Sequence, residues 1–216
     1  MNNNAVTKKN ISGLVLAGGQ ARRMGGIDKG LIDIHGQTIV ERITRILKQQ
    51  CNCVMINANR NREIYRQFGD KVIKDEIDGF QGPLAGMLSG LNAIRTEWLL
   101  TAPCDGPFLS NTYAESMLHA AQSIGVSIAV AKDQNRLQPV YALLHSSTRD
   151  SLQAFLNTGE RKIDKWFAEF NFAEVVITDC DDMFENINTP EQLEICREKL
   201  ASNQSKNETC FRQIQS

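Results

Sequence analysis

Residues 11–29 read ISGLVLAGGQARRMGGIDK. An apolar run over 11–17 passes without a break into a loop that holds four glycines, two adjacent arginines and a lysine. A short apolar run bounded by glycine has the length and flanks of a buried strand. Glycine suits a backbone that turns tightly or meets a ligand closely, and arginine and lysine are the side chains that pair with phosphate. A buried strand that empties into such a loop points to a phosphate-binding turn.

The rest of the chain alternates short apolar runs with longer amphipathic ones. Strands are expected at 53–57, 72–73, 98–102, 126–131, 140–144 and 174–178. Helices are expected at 40–48, 63–68, 84–94, from a Ser110 cap to 124, at 148–156 and 161–170, and after Thr189-Pro190-Glu191, where Thr caps and Pro takes the first turn. Strand and helix in alternation give an α/β fold, here a three-layer Rossmann-like arrangement on a mostly parallel central sheet. With no linker and no repeat, residues 11–200 read as a single domain, with halves at about 11–108 and 109–200. Residues 1–10 read as a flexible N-terminus and 201–216 as a polar, disordered tail.

At 216 residues the chain buries a core without staples, since a domain of that size hides roughly 70% of its unfolded surface. A formal net charge of -1 argues against bulk binding of nucleic acid, which needs a basic face. The charge is unevenly placed: residues 8–48 carry eight Lys or Arg against three acids, and 174–194 carry seven acids and no Lys or Arg. Six cysteines without paired spacing, and three histidines, make a zinc site a poor expectation; free thiols in a reducing cytoplasm fit better. No leader-like or membrane-spanning apolar stretch is present, so a cytoplasmic location without membrane contact is expected.

In a doubly wound sheet, ligands bind beyond the carboxyl ends of the strands. That rule selects the glycine loop after the first strand, Asn57 after the second, Asp75 after the third and Asp105 after the fourth. The Gly82-Pro83 helix start lies between the last two. The loop does not fit a Walker pattern, because Lys29 stands between Asp28 and Gly30 with no Ser or Thr after it. It does not fit G-x-G-x-x-G either, because Gly18 and Gly19 are adjacent. What is left is a loop whose backbone N–H groups meet a nucleotide while Arg23 and Lys29 neutralise its phosphates.

The pattern L-A-G-G-x-A-x-R-M-G…D-K resembles the nucleotidyltransferases that activate sugars and cofactors with nucleoside triphosphates. More narrowly, it resembles the molybdenum cofactor guanylyltransferases. The likeness continues through Asn57-Ala58-Asn59-Arg60, Gly82-Pro83-Leu84-Ala85-Gly86-Met87, Pro103-Cys104-Asp105-Gly106-Pro107 and Asn186-Ile187-Asn188-Thr189-Pro190-Glu191.

The resemblance implies magnesium-dependent transfer of GMP from GTP to molybdenum-molybdopterin, giving molybdopterin guanine dinucleotide and pyrophosphate. It implies that Leu16, Ala17, Gly18 and Gly19 present backbone to the nucleotide, with Asn57, Asp75, Gly82 and Pro83 around the base or ribose. Arg23 and Lys29 would hold the β and γ phosphates, and Asp105 would hold Mg2+ with Asn188 beside it. Arg161, Lys162, Asn186 and Asn188 would face the acceptor. Two positions depart from the family: Gln138 stands where many relatives carry His before the proline, and Lys162 where they often carry Arg. A lysine meets phosphate as a point charge and lacks the bidentate fork. Handing on a labile pterin implies transient contacts with the molybdenum-insertion enzyme and with recipient molybdoenzymes or their chaperones. Two other readings compete: a sister enzyme using CTP or a sugar or alcohol phosphate acceptor, and a non-catalytic GTP-binding carrier. Nucleotide preference separates the first; loss of Asp105 or Lys29 would have favoured the second, and both are present.

Overall fold

The first strand, β1 (Ile11–Leu16), alternates its side chains across the sheet: Ile11 and Val15 join one apolar cluster and Leu14 the other, all three fully buried. That alternation recurs in every central strand and divides the core into two layers with the sheet between them. The computed structural model describes residues 8–18, 28–76 and 82–214, with side chains up to Ser202.

The chain continues through a short hairpin, β2 (Asp33–Ile34) and β3 (Gln37–Thr38), into helix α1 (Ile39–Gln50), then β4 (Cys53–Asn57), α2 (Arg62–Tyr65) and β5 (Lys71–Ile73). After α3 (Pro83–Ala93) come β6 (Trp98–Pro103), α4 (Tyr113–Ile124), β7 (Ile128–Lys132) and β8 (Leu137–His145). Then α5 (Arg149–Asn157), α6 (Ile163–Phe167), β9 (Ala173–Val176) and α7 (Pro190–Ile214) complete the described chain.

Seven strands form one sheet in the order β5-β4-β1-β6-β8-β7-β9. All run the same way except β8, which is antiparallel to both β6 and β7. The mostly parallel three-layer expectation therefore holds. One layer is α1, α4 and the start of α7, packed through residues such as Ile43, Leu47, Met117 and Leu200. The opposite layer is α3, α5 and α6, packed through Leu84, Leu88, Leu152 and Trp166. Each such side chain, fully buried, contributes about 1.5–3 kcal/mol of transfer free energy. Helix α3 packs tightly on the sheet through its glycines. A Cβ at Gly90 would lie 2.7 Å from Leu14 Cδ2, and one at Gly86 would lie 2.6 Å from both Asn57 Oδ1 and Leu16 Cδ2. Among the described residues no helix is long and apolar enough to cross a membrane.

Four local expectations need correction. The β2–β3 hairpin lies in a stretch without an expected element; its turn residues His35 and Gly36 both take positive φ, at 55° and 78°, and Asp33 Oδ1 accepts the Gly36 N–H at 3.0 Å. Ser110 does not cap a helix. Its hydroxyl accepts the Thr112 N–H and donates to Asp179 Oδ1 at 2.6 Å, so it closes a turn, and α4 starts at Tyr113. The helix expected at 161–170 shortens to α6, followed by tight turns. Finally, α7 runs to Ile214 rather than ending near Ala201, because no Gly or Pro interrupts residues 191–214.

Candidate active site

Parallel strands deliver their carboxyl ends to one rim, and two polar clusters gather there. The first lies beyond β1, β4 and β5. Asn57, the last residue of β4, donates from Nδ2 to Asp75 Oδ1 at 2.9 Å, and Asn59 donates from Nδ2 to Asp75 Oδ2 at 2.8 Å. The Asp75 N–H returns a bond to Asn59 Oδ1 at 3.0 Å. Both Asp75 oxygens are thereby fixed in direction, yet each keeps a lone pair for a further donor. Gly18 lies against this group: a Cβ there would sit 3.3 Å from Asn57 Oδ1 and 3.4 Å from Asn59 Nδ2. The Ala17 N–H continues the sheet by donating to the Asn57 carbonyl at 2.8 Å. Gly82, at the start of α3 with φ 79°, and Pro83 in the first turn occupy the same end of that helix.

The second cluster lies beyond β1 and β6. Lys29 opens a 3-10 turn (Lys29–Leu31), and its ammonium donates to Asp105 Oδ2 at 3.1 Å and to Asn188 Oδ1 at 2.6 Å. The three side chains are 159 residues apart at the extremes and meet because separate crossings return to one rim. The Cys104 N–H donates to the Leu16 carbonyl at 3.1 Å, and the Ile187 N–H to the Asp105 carbonyl at 2.9 Å, so the backbone holds these segments edge to edge. Asn186 stands beside Gly106, and its side-chain oxygen is buried without a hydrogen-bond partner among the described residues. A buried orphan acceptor is costly, and a donor from a bound molecule would relieve it. Helix α7 secures this segment. Thr189 Oγ1 accepts the Gln192 N–H at 3.2 Å, while Gln192 Oε1 accepts the N–H groups of Asn188 at 2.7 Å and Thr189 at 3.1 Å. That is a capping box, and it fixes Asn188 at the helix entrance.

The donor set fits a hard divalent cation. Asp105 and Asn188 already converge two oxygens on one positive charge, and a single carboxylate with water and phosphate oxygens suffices for Mg2+. Among the described residues no group of three His, Cys, Asp or Glu gathers to hold a metal, at this rim or elsewhere.

Cys104, next to Asp105, is no ready nucleophile. Burial first, and then the Asp105 and Asp28 carboxylates, push its thiol up, which suppresses the thiolate. Burial, the Cys104 sulfur and the bond to Asp28 likewise push the Tyr65 phenol up, so it stays a proton donor.

Other expected residues lie apart. Arg161 and Lys162 are on the turn between α5 and α6. The Arg161 guanidinium donates to the Leu156 and Glu160 carbonyls at 2.7 and 2.6 Å, folding it onto its own turn. Glu160 accepts the N–H groups of both residues and the Lys165 ammonium. An open depression of about 510 Å³ borders this turn, lined in part by Ser151, Phe155, Thr158 and Glu160. It contains neither Lys29 nor Asp105, so the convergent polar groups are the better guide. Gln138 donates to Asp133 Oδ2 at 2.6 Å within the β7–β8 turn. Arg23 and Gly19 lie outside the described residues. Asn59, Asn61, Tyr65 and Asp28 were missed as site residues. For Asn59 a signal existed, since its spacing of two from Asn57 puts both side chains on one side of an extended backbone.

A family model described as a MobA-like NTP transferase domain matches residues 13–175. The chain is 47% identical over 182 residues to a Shewanella putrefaciens protein named molybdenum cofactor guanylyltransferase, covering 84% of this chain and 93% of that one. A Shewanella sediminis protein of the same name is 44% identical over 191 residues, covering 88% and 97%. Among solved structures, molybdopterin-guanine dinucleotide biosynthesis protein A from Archaeoglobus fulgidus superposes with a TM-score of 0.73 at 21% identity, over 88% of this chain and 99% of that one. The 4-diphosphocytidyl-2C-methyl-D-erythritol synthase of Anaerococcus prevotii does so at 0.69 and 14% identity, over 93% and 100%. At these identities the two structures share the fold.

Proposed function

This chain belongs to the MobA-like NTP transferase family and is a nucleotidyltransferase, and from that premise we propose that it transfers GMP from GTP to molybdenum-molybdopterin with release of pyrophosphate. The observation that carries the reading is the Lys29 ammonium held between Asp105 and Asn188 beyond the ends of β1 and β6. In the reaction, an oxygen of the acceptor's phosphate bonds to the α-phosphorus of GTP. The bond from that phosphorus to the bridging oxygen breaks, and pyrophosphate leaves with the electron pair.

Two anions must approach before any bond forms, so catalysis here is positioning and charge cancellation, and needs no protein nucleophile. Lys29, with Arg23, meets the β and γ phosphates and stabilises the leaving pyrophosphate. Asp105 and Asn188 would hold Mg2+, which when bound adds positive charge at the triphosphate. Asp75, oriented by Asn57 and Asn59, accepts the two adjacent N–H groups on the edge of guanine, a pair that cytosine does not offer. Asn186 offers its free oxygen on the acceptor side, and Arg161 and Lys162 supply positive charge further along. The acceptor arrives by transient contact with the molybdenum-insertion enzyme, and the product passes on to recipient molybdoenzymes or their chaperones.

The test is incubation with Mg2+, GTP and molybdopterin-loaded carrier protein, scored for pyrophosphate and for the dinucleotide. GTP should exceed CTP and ATP by at least about tenfold, the worth of one charge-assisted hydrogen bond. Equal turnover of all three would remove the guanine assignment.

A further inference from the structure

Three features converge on Asp28, the residue immediately before Lys29. Buried Tyr65 donates its hydroxyl to Asp28 Oδ1 at 2.5 Å. Asn61 donates from Nδ2 to Asp28 Oδ2 at 3.1 Å, and it does so from a left-handed backbone conformation, φ 49°, that is uncommon for a residue other than glycine. Gly30 clears the way: a Cβ there would fall 2.7 Å from the Tyr65 hydroxyl and 3.2 Å from Cys104 Cβ. The Asp28-Lys29-Gly30 triplet thus has a separate physical reason at each position. The acid is anchored, the lysine reaches across, and the glycine leaves room for the anchor.

We propose that Tyr65 and Asn61 are positioning residues for Lys29: by fixing both oxygens of Asp28 they aim the following residue's ammonium at the triphosphate. The proposal rests on the reading of Lys29 as a phosphate ligand. The geometry favours it over a purely structural bond. A buried phenol needs one acceptor, and a backbone or water oxygen would serve, whereas here two donors from one segment grip the two oxygens of one carboxylate. The Lys29 side chain then spans directly to Asp105 and Asn188. The gripping segment also starts two residues beyond Asn59, which orients Asp75. One stretch of chain, 57–65, therefore bears on both rim clusters.

The measurement is calorimetric affinity for GTP and for GMP, both with Mg2+, because their ratio isolates contacts to the β and γ phosphates from contacts to the base. Wild-type protein should favour GTP, and Lys29→Met should lower that preference at least about tenfold, leaving the share of Arg23. Tyr65→Phe should lower the GTP:GMP ratio about fivefold to tenfold, the range of a lost charge-assisted hydrogen bond, with GMP affinity unchanged. In the Lys29→Met background, Tyr65→Phe should change nothing further, which a general loosening of the fold would not reproduce. Asn61→Gly, which accepts the same backbone conformation on an exposed turn, should act in the same direction and covers the case of a poorly folded Tyr65 variant. Failure of wild-type protein to bind GTP would overturn the proposed function. A preference for GTP that Lys29→Met lowers, but that Tyr65→Phe and Asn61→Gly leave intact, would overturn the positioning role alone.

Discussion

In the proposed reaction Asp105 is the residue on which the chemistry turns. It stands two residues beyond β6, accepts the Lys29 ammonium and has its carbonyl held by Ile187. Asp105→Ala should keep GTP binding within about threefold while turnover drops by at least about a hundredfold, the scale set by removing one electrostatic stabiliser from a phosphoryl-transfer site. Pyrophosphate release at saturating GTP checks this, and retained activity would place any metal elsewhere. At this scale the sequence was informative where a residue ends a strand. Asn57, Asp75 and Asp105 follow strands whose apolar runs are plain, so the rim rule finds them. It was uninformative about Tyr65. A tyrosine in a four-residue helix carries no mark of its role, because the bond it makes is to a residue 37 positions earlier. Only the packed fold brings that pair together.

Among the elements, α1 was legible because a buried face imposes a period, and the central strands by their apolar runs. Helices α3 and α7 were legible because Pro83 and Thr189-Pro190 mark their starts. The β2–β3 hairpin was not, since two-residue strands are too short to show alternation. Its one signal was a glycine after His35. The turn between α5 and α6 shows how an element boundary responds to pH. The Lys165 ammonium, followed by the N–H groups of Arg161 and Lys162, holds the Glu160 carboxyl down from 4.5 to about 2. A carboxyl depressed in the folded state adds stability that is complete above its ordinary value and is lost as pH falls through the folded one. Thermal melts at low salt should therefore show a Glu160 contribution that fades from pH 4.5 to about 2, and Glu160→Gln should flatten that part of the profile. The group is on the surface, so salt should weaken the difference. A profile unchanged by the substitution would mean that the Lys165 pairing is not kept in solution.

For the molecule as a whole, the two core layers meet at a sheet that no crossing pierces, and thiol chemistry can report on it. Cys51, at the end of α1, is 1% exposed, and burial pushes its thiol up to about 12. An aromatic disulfide reagent near neutral pH should therefore modify it only when the α1–β4 corner opens, with a rate that rises with denaturant in step with loss of helical signal. Prompt labelling in native buffer would show that this corner opens by itself. The global outline was readable from alternation, because strand–helix order almost dictates a wound sheet. The reversal of β8 was not, because an apolar strand reads the same in either direction.

That reversal has a practical side. Since β8 runs against its neighbours, β7 and β8 are joined on the rim by a tight reversal at 133–136, with Asp133 Oδ1 accepting the N–H groups of Asn135 and Arg136 at 2.7 and 2.8 Å. Its ends are already stitched by the ladder, so each doubling of its length costs only about 0.6 kcal/mol of closure entropy. A fluorophore or peptide graft seated there would sit on the rim without cutting any helix that flanks the two polar clusters.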